Sequence, residues 1–153
     1  MAYVADLHLH SRFSRACSPT INIPSLAKWA KLKGIELLGT SDFLHPLWFA
    51  ELKQNLKELG NGIYEYGGVK FLLSTEISCI YSDQGKTRRI HLVILLPSFD
   101  AVAKLQTELG RRKVNMASDG RPITGISAKN LSEIILEIEK KAIIVPAHIW
   151  TPW

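Results

Sequence analysis

The sequence predicts an α/β chain built as a parallel sheet or barrel, with its working residues at the C-terminal ends of the strands. Three features carry this expectation. Apolar strand-like and helix-like segments alternate, polar residues gather just after the predicted strands, and all five histidines (His8, His10, His45, His91 and His148) stand at or just past such strand ends.

Tyr3 to Leu9 reads as a buried strand ending in polar residues. Pro24 to Lys33 reads as a helix with proline in its first turn, Gly34 as its stop, and Leu26, Trp29 and Ala30 on its buried face. Ile35 to Gly39 is a short apolar strand that delivers Thr40, Ser41, Asp42 and Phe43, followed by a helix from about Pro46 to Leu59 that stops at Gly60. Val69 to Tyr81, which holds Glu76, and Arg89 to Leu96, which holds His91, are β-rich stretches around the turn signal Ser82-Asp83-Gln84-Gly85. Ser98 suits the N-cap of a helix to about Lys113, with Val102, Leu105 and Leu109 on one face. After a loop containing Ser118 to Pro122, a helix from Ser127 to Lys141 carries Leu131, Ile134, Ile135 and Ile138 at helical spacing. It feeds a strand, Ala142 to Val145, that ends in Pro146, Ala147 and His148.

With 153 residues, 46% hydrophobic and 22% charged, the composition excludes a largely disordered, collagen-like or disulfide-scaffold chain. Apolar runs such as Leu92 to Leu96 fall far short of the roughly 18 to 20 residues of a membrane span. Asp6, His8 and His10 interrupt any apolar opening, so no signal peptide is read and a soluble, cytoplasmic protein is expected. Cys17 and Cys79 lack zinc-ribbon spacing and are read as buried or free thiols. The excess of 19 Lys and Arg over 14 Asp and Glu, a net +5, suits a polyanionic partner such as nucleic acid without requiring one.

His8 and His10 stand two apart, which on a strand sends both imidazoles to the same side. Asp42 and Glu76 occupy comparable strand ends, and imidazole with carboxylate is the donor mix expected for zinc, manganese or iron. A shared metal site is therefore expected in preference to unrelated core or surface histidines. No Gly-rich phosphate loop, Gly-x-Ser-x-Gly elbow or cysteine with a dedicated base occurs, which leaves metal-assisted hydrolysis as the economical chemistry.

Asp6-Leu7-His8-Leu9-His10-Ser11, Gly39-Thr40-Ser41-Asp42, Glu76, His91 and Pro146-Ala147-His148 fall in the order of the polymerase and histidinol phosphatase (PHP) metal-dependent phosphoesterases, which the chain resembles. Within that family, Asp6 to Arg12, Leu37 to Trp48, Arg88 to His91, Ser118 to Pro122 and Pro146 to Trp153 look most like the endonuclease Q group, archaeal and bacterial enzymes that nick DNA 5′ of deaminated bases. The resemblance implies a distorted (βα)7 TIM-like barrel. It further implies that His8 and His10 bind one metal, that Glu76 bridges it to a second held by His91 and His148, and that Asp42 serves the site from the second strand. Glu76 and Asp42 would be the catalytic carboxylates, and the cofactors two or three divalent ions, zinc, manganese or magnesium. Many members place histidine directly after that aspartate, where this chain has Phe43, so a third metal would need His45 as a replacement ligand. The implied activity is metal-dependent hydrolysis of DNA 5′ of hypoxanthine, uracil or xanthine, or at abasic sites. Its partners would be deaminated DNA and replication or repair proteins, with no membrane.

The family's late Asp-x-His pair does not follow His148, and a barrel of about seven strands needs more chain. The 153 residues are therefore expected to form the N-terminal portion of a single PHP-type catalytic domain, truncated after about five strands with an open sheet edge. Arg12, His45 and Arg121 are the candidate substrate contacts, since guanidinium binds phosphate bidentately. Lys86 to Arg89 and Arg111 to Lys113 are candidate tracks for a DNA backbone, and Phe43, Trp48, Trp150 and Trp153 candidate walls for an extruded base. Two other readings stay open: a PHP phosphatase acting on a small phosphomonoester, and an inactive DNA- or partner-binding module. Amidohydrolases and TatD-like nucleases share the His-x-His strand but compete weakly, because the usual amidohydrolase has a bridging lysine where Glu76 stands.

Overall fold

In the computed structural model, which describes residues 3–151, an eight-stranded mixed sheet is backed by four helices. The order is β1 (Ala5–Asp6), α1 (Ile23–Lys33), β2 (Leu37–Gly39), α2 (Pro46–Asn55), β3 (Lys57–Gly60), β4 (Ile63–Tyr66), β5 (Val69–Asp83), β6 (Lys86–Leu96), α3 (Phe99–Arg111), β7 (Ile123–Thr124), α4 (Ala128–Ile138) and β8 (Ile143–Pro146). β1, β2 and the start of β5 pair parallel, as the opening strand-helix alternation requires. Beyond them the sheet departs from the expected parallel arrangement. β3, β4 and β5 are antiparallel neighbours, and so are β5, β6 and β8, while β7 joins β5 in parallel. The cause is local. Gln84 and Gly85 both take positive φ in a two-residue turn, which returns the chain beside β5, whereas a parallel neighbour needs a crossover of about a dozen residues or more. Among the described residues β1, β3, β7 and β8 each have one paired neighbour, so the sheet is open and no closed (βα)7 barrel forms.

Three local expectations need correction. Strand β1 is two residues long and exposed, where Tyr3 to Leu9 reads as a buried strand, because it has a neighbour on one side only. α1 is capped by Asn22, whose side chain accepts from Ser25 N, and stopped by Gly34 at φ 70°; it buries Ile23, Ala27 and Ala30. Trp29 lies off that i, i+4, i+7 stripe and is 58% exposed. The second helix ends at Asn55, not Leu59, because residues 57–60 pair as β3 through a turn at Asn61-Gly62, a hairpin signal. The Ser98 cap and the Leu105 and Leu131 faces form as expected, and α4, capped by Ser127, ends at Ile138, short of Lys141.

Alternation along β5 and β6 gives the sheet two different faces. Leu73, Ile77, Leu92, Ile94 and Leu96 join Val102, Leu105 and Leu109 of α3 and Leu131 and Ile135 of α4 in the main core, together with Ile23, Trp48 and Leu52. The opposite face carries Leu72, Ser74, Glu76 and Ser78 beside His91, Val93 and Leu95; its small apolar cluster is Val93, Leu95 and Ala147 with Leu7 and Leu72. The main core thus anchors two long strands whose other face is polar at its centre. Among the described residues no helix is long and apolar enough to cross a membrane.

Candidate metal centre

Glu76 is central to the polar face, 2% exposed and met by four histidines. Its Oε2 lies 3.1 Å from His8 Nε2 and 3.0 Å from His10 Nε2. Its Oε1 lies 2.7 Å from His91 Nδ1 and 3.2 Å from His148 Nε2. Each half, His8-His10-Glu76 and Glu76-His91-His148, brings its donor atoms within 4.8 Å of one another, a group able to hold a metal ion.

The positions of these residues relative to the strands differ from expectation. Glu76 and His91 sit in the middle of β5 and β6, not at strand ends, because both strands run on into the long hairpin. The pairing of β2 with β5 stops at Gly39 and Leu72, so Glu76 lies beyond the second strand's reach. The Ser78–His91 register then sets the imidazole on the same face. His8 and His10 follow β1 in irregular chain, yet both still reach Glu76. His148 comes from a turn after β8, pinned by Ala147 N donating to His91 O at 2.8 Å.

Asp42 stands outside both groups and behind His10. It is fully buried; its Oδ1 is 3.1 Å from His10 Nδ1, and its Oδ2 accepts from Ser11 N at 2.6 Å and Ser14 Oγ at 2.8 Å. With Nδ1–H donated to Asp42, His10 presents Nε2 on the Glu76 side, where its lone pair would be free for a metal ion, the orientation of a carboxylate–histidine–metal relay. The donor chemistry therefore fits divalent ions. Ser41 and Asp42 both take positive φ, 56° and 41°, as does His148 at 36°. Such residues cost roughly 1–3 kcal/mol each and persist where neighbours over-determine them. Here Trp48 Nε1 donates to Thr40 O and Ser41 O, and Ser41 N donates to Ser74 Oγ.

The charges are strongly coupled. Hydrogen bonds to Asp42 and Glu76 raise His10 from its ordinary 6.5 to about 9. Burial pushes the Glu76 carboxyl up, but hydrogen bonds from His10 and His8 and the nearby His8 and His91 charges outweigh it and hold the group far below the usual range. Burial lowers His91. In chelator-treated protein, the raised His10 stabilises the fold fully below about pH 6.5, and that contribution is lost as pH rises through about 9. Its Tm should therefore fall over that window, and His10→Gln should flatten the fall. An unchanged slope in the variant would contradict the assignment.

The remaining candidates separate. Arg121 belongs to the centre: its Nη1 is 3.7 Å from Glu76 Oε2. Arg12 does not; its guanidinium donates to Ile21 O, pairs with Glu51 and packs over Phe13 and Trp48, tying the opening loop to α2. His45 stacks on Phe13 at 4.0 Å with Nε2 against Ala117 O, outside both donor groups. Burial lowers its pKa. Phe43 and Trp48 are core residues with no exposed surface, unsuited to walling a base pocket, while Trp150 is 92% exposed and Trp153 lies outside the described residues. Lys86 to Arg89 are exposed from the hairpin turn into β6, with Arg88 facing Asp83; Arg111 and Arg112 pair with Glu108. Cys17 and Cys79 are free thiols, half-buried and buried. Reading the sequence missed Ser14 and Gly120. Gly120 lies in a segment that carries the resemblance and Ser14 just after one, but nothing in their spacing signals contact with Asp42.

No family model matches the chain. An uncharacterized protein of Methanocaldococcus jannaschii is 34% identical over 147 residues, covering 96% of this chain and 16% of that protein. An uncharacterized protein of Bacillus subtilis is 28% identical over 166 residues, covering 97% of this chain and 40% of that protein. Among solved structures, the lesion-specific endonuclease PfuEndoQ from Pyrococcus furiosus superposes with a TM-score of 0.86 and 36% identity, over 100% of this chain and 36% of that one. Endonuclease Q in complex with a 27-mer duplex substrate, an abasic lesion at its active site, gives 0.85 and 36% identity over 99% and 36%. The chain therefore spans about a third of those enzymes and less than half of its curated relatives, and over that span it has an endonuclease Q-like fold.

Proposed function

We propose that this chain carries the metal-binding centre of a PHP-type DNA endonuclease that hydrolyses the phosphodiester 5′ of deaminated bases or abasic sites. The observation that carries the reading is Glu76, whose two oxygens face two histidines each. The likeness to an endonuclease Q bound to lesion-containing duplex supports DNA as the substrate. His8, His10 and Glu76 would hold one divalent ion, and Glu76, His91 and His148 a second. When bound, such ions activate water near neutral pH and neutralise charge developing on a phosphoryl group.

The chain's own residues do the rest. Glu76 fixes the spacing of the two positions through one buried carboxylate. Asp42 holds the His10 tautomer and ring plane through Nδ1. Arg121, partly exposed beside Glu76, presents a guanidinium to a non-bridging phosphate oxygen, where bidentate contact is favourable. The basic run Lys86 to Arg89 offers charge to the flanking backbone.

A duplex with one deoxyinosine or one abasic site, supplied with manganese, magnesium or zinc, tests the reading. The expected result is a single incision 5′ of the lesion, none in undamaged duplex, and none with His8→Ala. Hydrolysis of a chromogenic phosphomonoester without incision would favour the phosphatase instead, and DNA binding without hydrolysis an inactive module.

A further inference from the structure

Gly120, in the loop from Ser118 to Pro122, lies directly against the Asp42 carboxylate, and the contact is possible only because residue 120 lacks a side chain. A Cβ on Gly120 would stand 2.3 Å from Asp42 Oδ2, 2.6 Å from Asp42 Cγ and 2.5 Å from Ser14 Oγ, separations that real Cβ atoms do not show. Gly120 does not have a positive φ, so space and not backbone conformation demands glycine there. The loop is pinned on both sides of Arg121. Gly120 N donates to Phe13 O at 3.0 Å, Ser78 N, two residues beyond Glu76, donates to Pro122 O at 3.0 Å, and Arg121 N closes a turn on Asp119 Oδ1. Ser14 completes the cradle by donating to Asp42 Oδ2 at 2.8 Å.

We infer that Gly120 and Ser14 are positioning residues that together hold Asp42 at its Oδ2 edge, so that one small-residue contact sets both the His10 ligand and the Arg121 phosphate contact. The inference rests on the function proposed above. Adding a methyl at position 120 forces one of two moves. Either Asp42 shifts and releases His10, or the loop lifts and withdraws Arg121 from Glu76. Removing the Ser14 hydroxyl loosens Asp42 and the 3.4 Å contact to His10 Nδ1 while leaving the loop in place.

The test measures manganese affinity by competition with a chelator, and KM and kcat for incision of the lesion duplex. Gly120→Ala should weaken manganese binding about 10-fold or more, the scale on which outer partners of metal ligands act, and raise KM. Ser14→Ala should weaken manganese binding with a smaller change in KM. In an Arg121→Ala background, Gly120→Ala should add little further to KM, because its effect there runs through the arginine, whereas a general loss of stability would add in full. Manganese affinity and KM equal to the parent's in folded Gly120→Ala would overturn the inference. If that variant does not fold, parent-like manganese affinity in Ser14→Ala overturns it and weakened affinity upholds it. Failure of the parent itself to bind manganese or incise would instead overturn the proposed function, and this inference with it.

Discussion

Glu76→Ala should abolish lesion-dependent incision and remove both ions together, with manganese affinity falling by more than about 100-fold, beyond the loss expected for an outer partner. The reason is geometric. His8 and His10 share one carboxylate oxygen and His91 and His148 the other, so no remaining carboxylate among these donors can serve either pair. Glu76→Gln, which keeps the volume, should lose the ions nearly as completely, because a neutral amide neither bridges cations nor balances their charge. His148→Ala should be milder, since the His8-His10-Glu76 group survives it. Metal analysis of the purified variants separates these outcomes; a Glu76→Ala protein that retained one tightly bound ion would contradict the shared carboxylate.

Trp48→Ala should be the most destabilising single change, at about 3–5 kcal/mol for loss of a fully buried tryptophan. Its consequence reaches the centre, because Trp48 Nε1 bonds the carbonyls of Thr40 and Ser41 and so holds the left-handed turn that delivers Asp42. Trp48→Phe keeps most of the packing and removes those bonds, and should cost roughly 1–3 kcal/mol. Urea unfolding of both variants measures the difference. A Trp48→Phe protein as stable as the parent would show that the indole N–H does not matter to the turn.

The donors are legible in the sequence because they are chemically rare. His-x-His, an isolated buried glutamate and a histidine after an apolar strand stand out in any chain, and the structure gathers His8, His10, Glu76, His91 and His148 around one point. The path that gathers them is less legible. Antiparallel return of β6 on β5 depends on a two-residue turn and on long-range pairing, which residue periodicity does not report. Nor does it report the fate of groups whose chemistry has two uses. Arg12, next to the histidine pair, invites a phosphate role, but Glu51 from α2 takes its charge. Trp29 and Trp48 look alike in composition; one lies off its helix's buried stripe and the other is enclosed. Ser14 and Gly120 act by how closely backbone approaches Asp42, a property of packing.

The most direct measurement is a crystal structure of the manganese-loaded protein with anomalous maps at the metal edge. The expected result is two peaks flanking Glu76, one beside His8 and His10 and one beside His91 and His148, both absent in Glu76→Ala. Peaks elsewhere on the chain, or none at Glu76 under saturating manganese, would contradict the account.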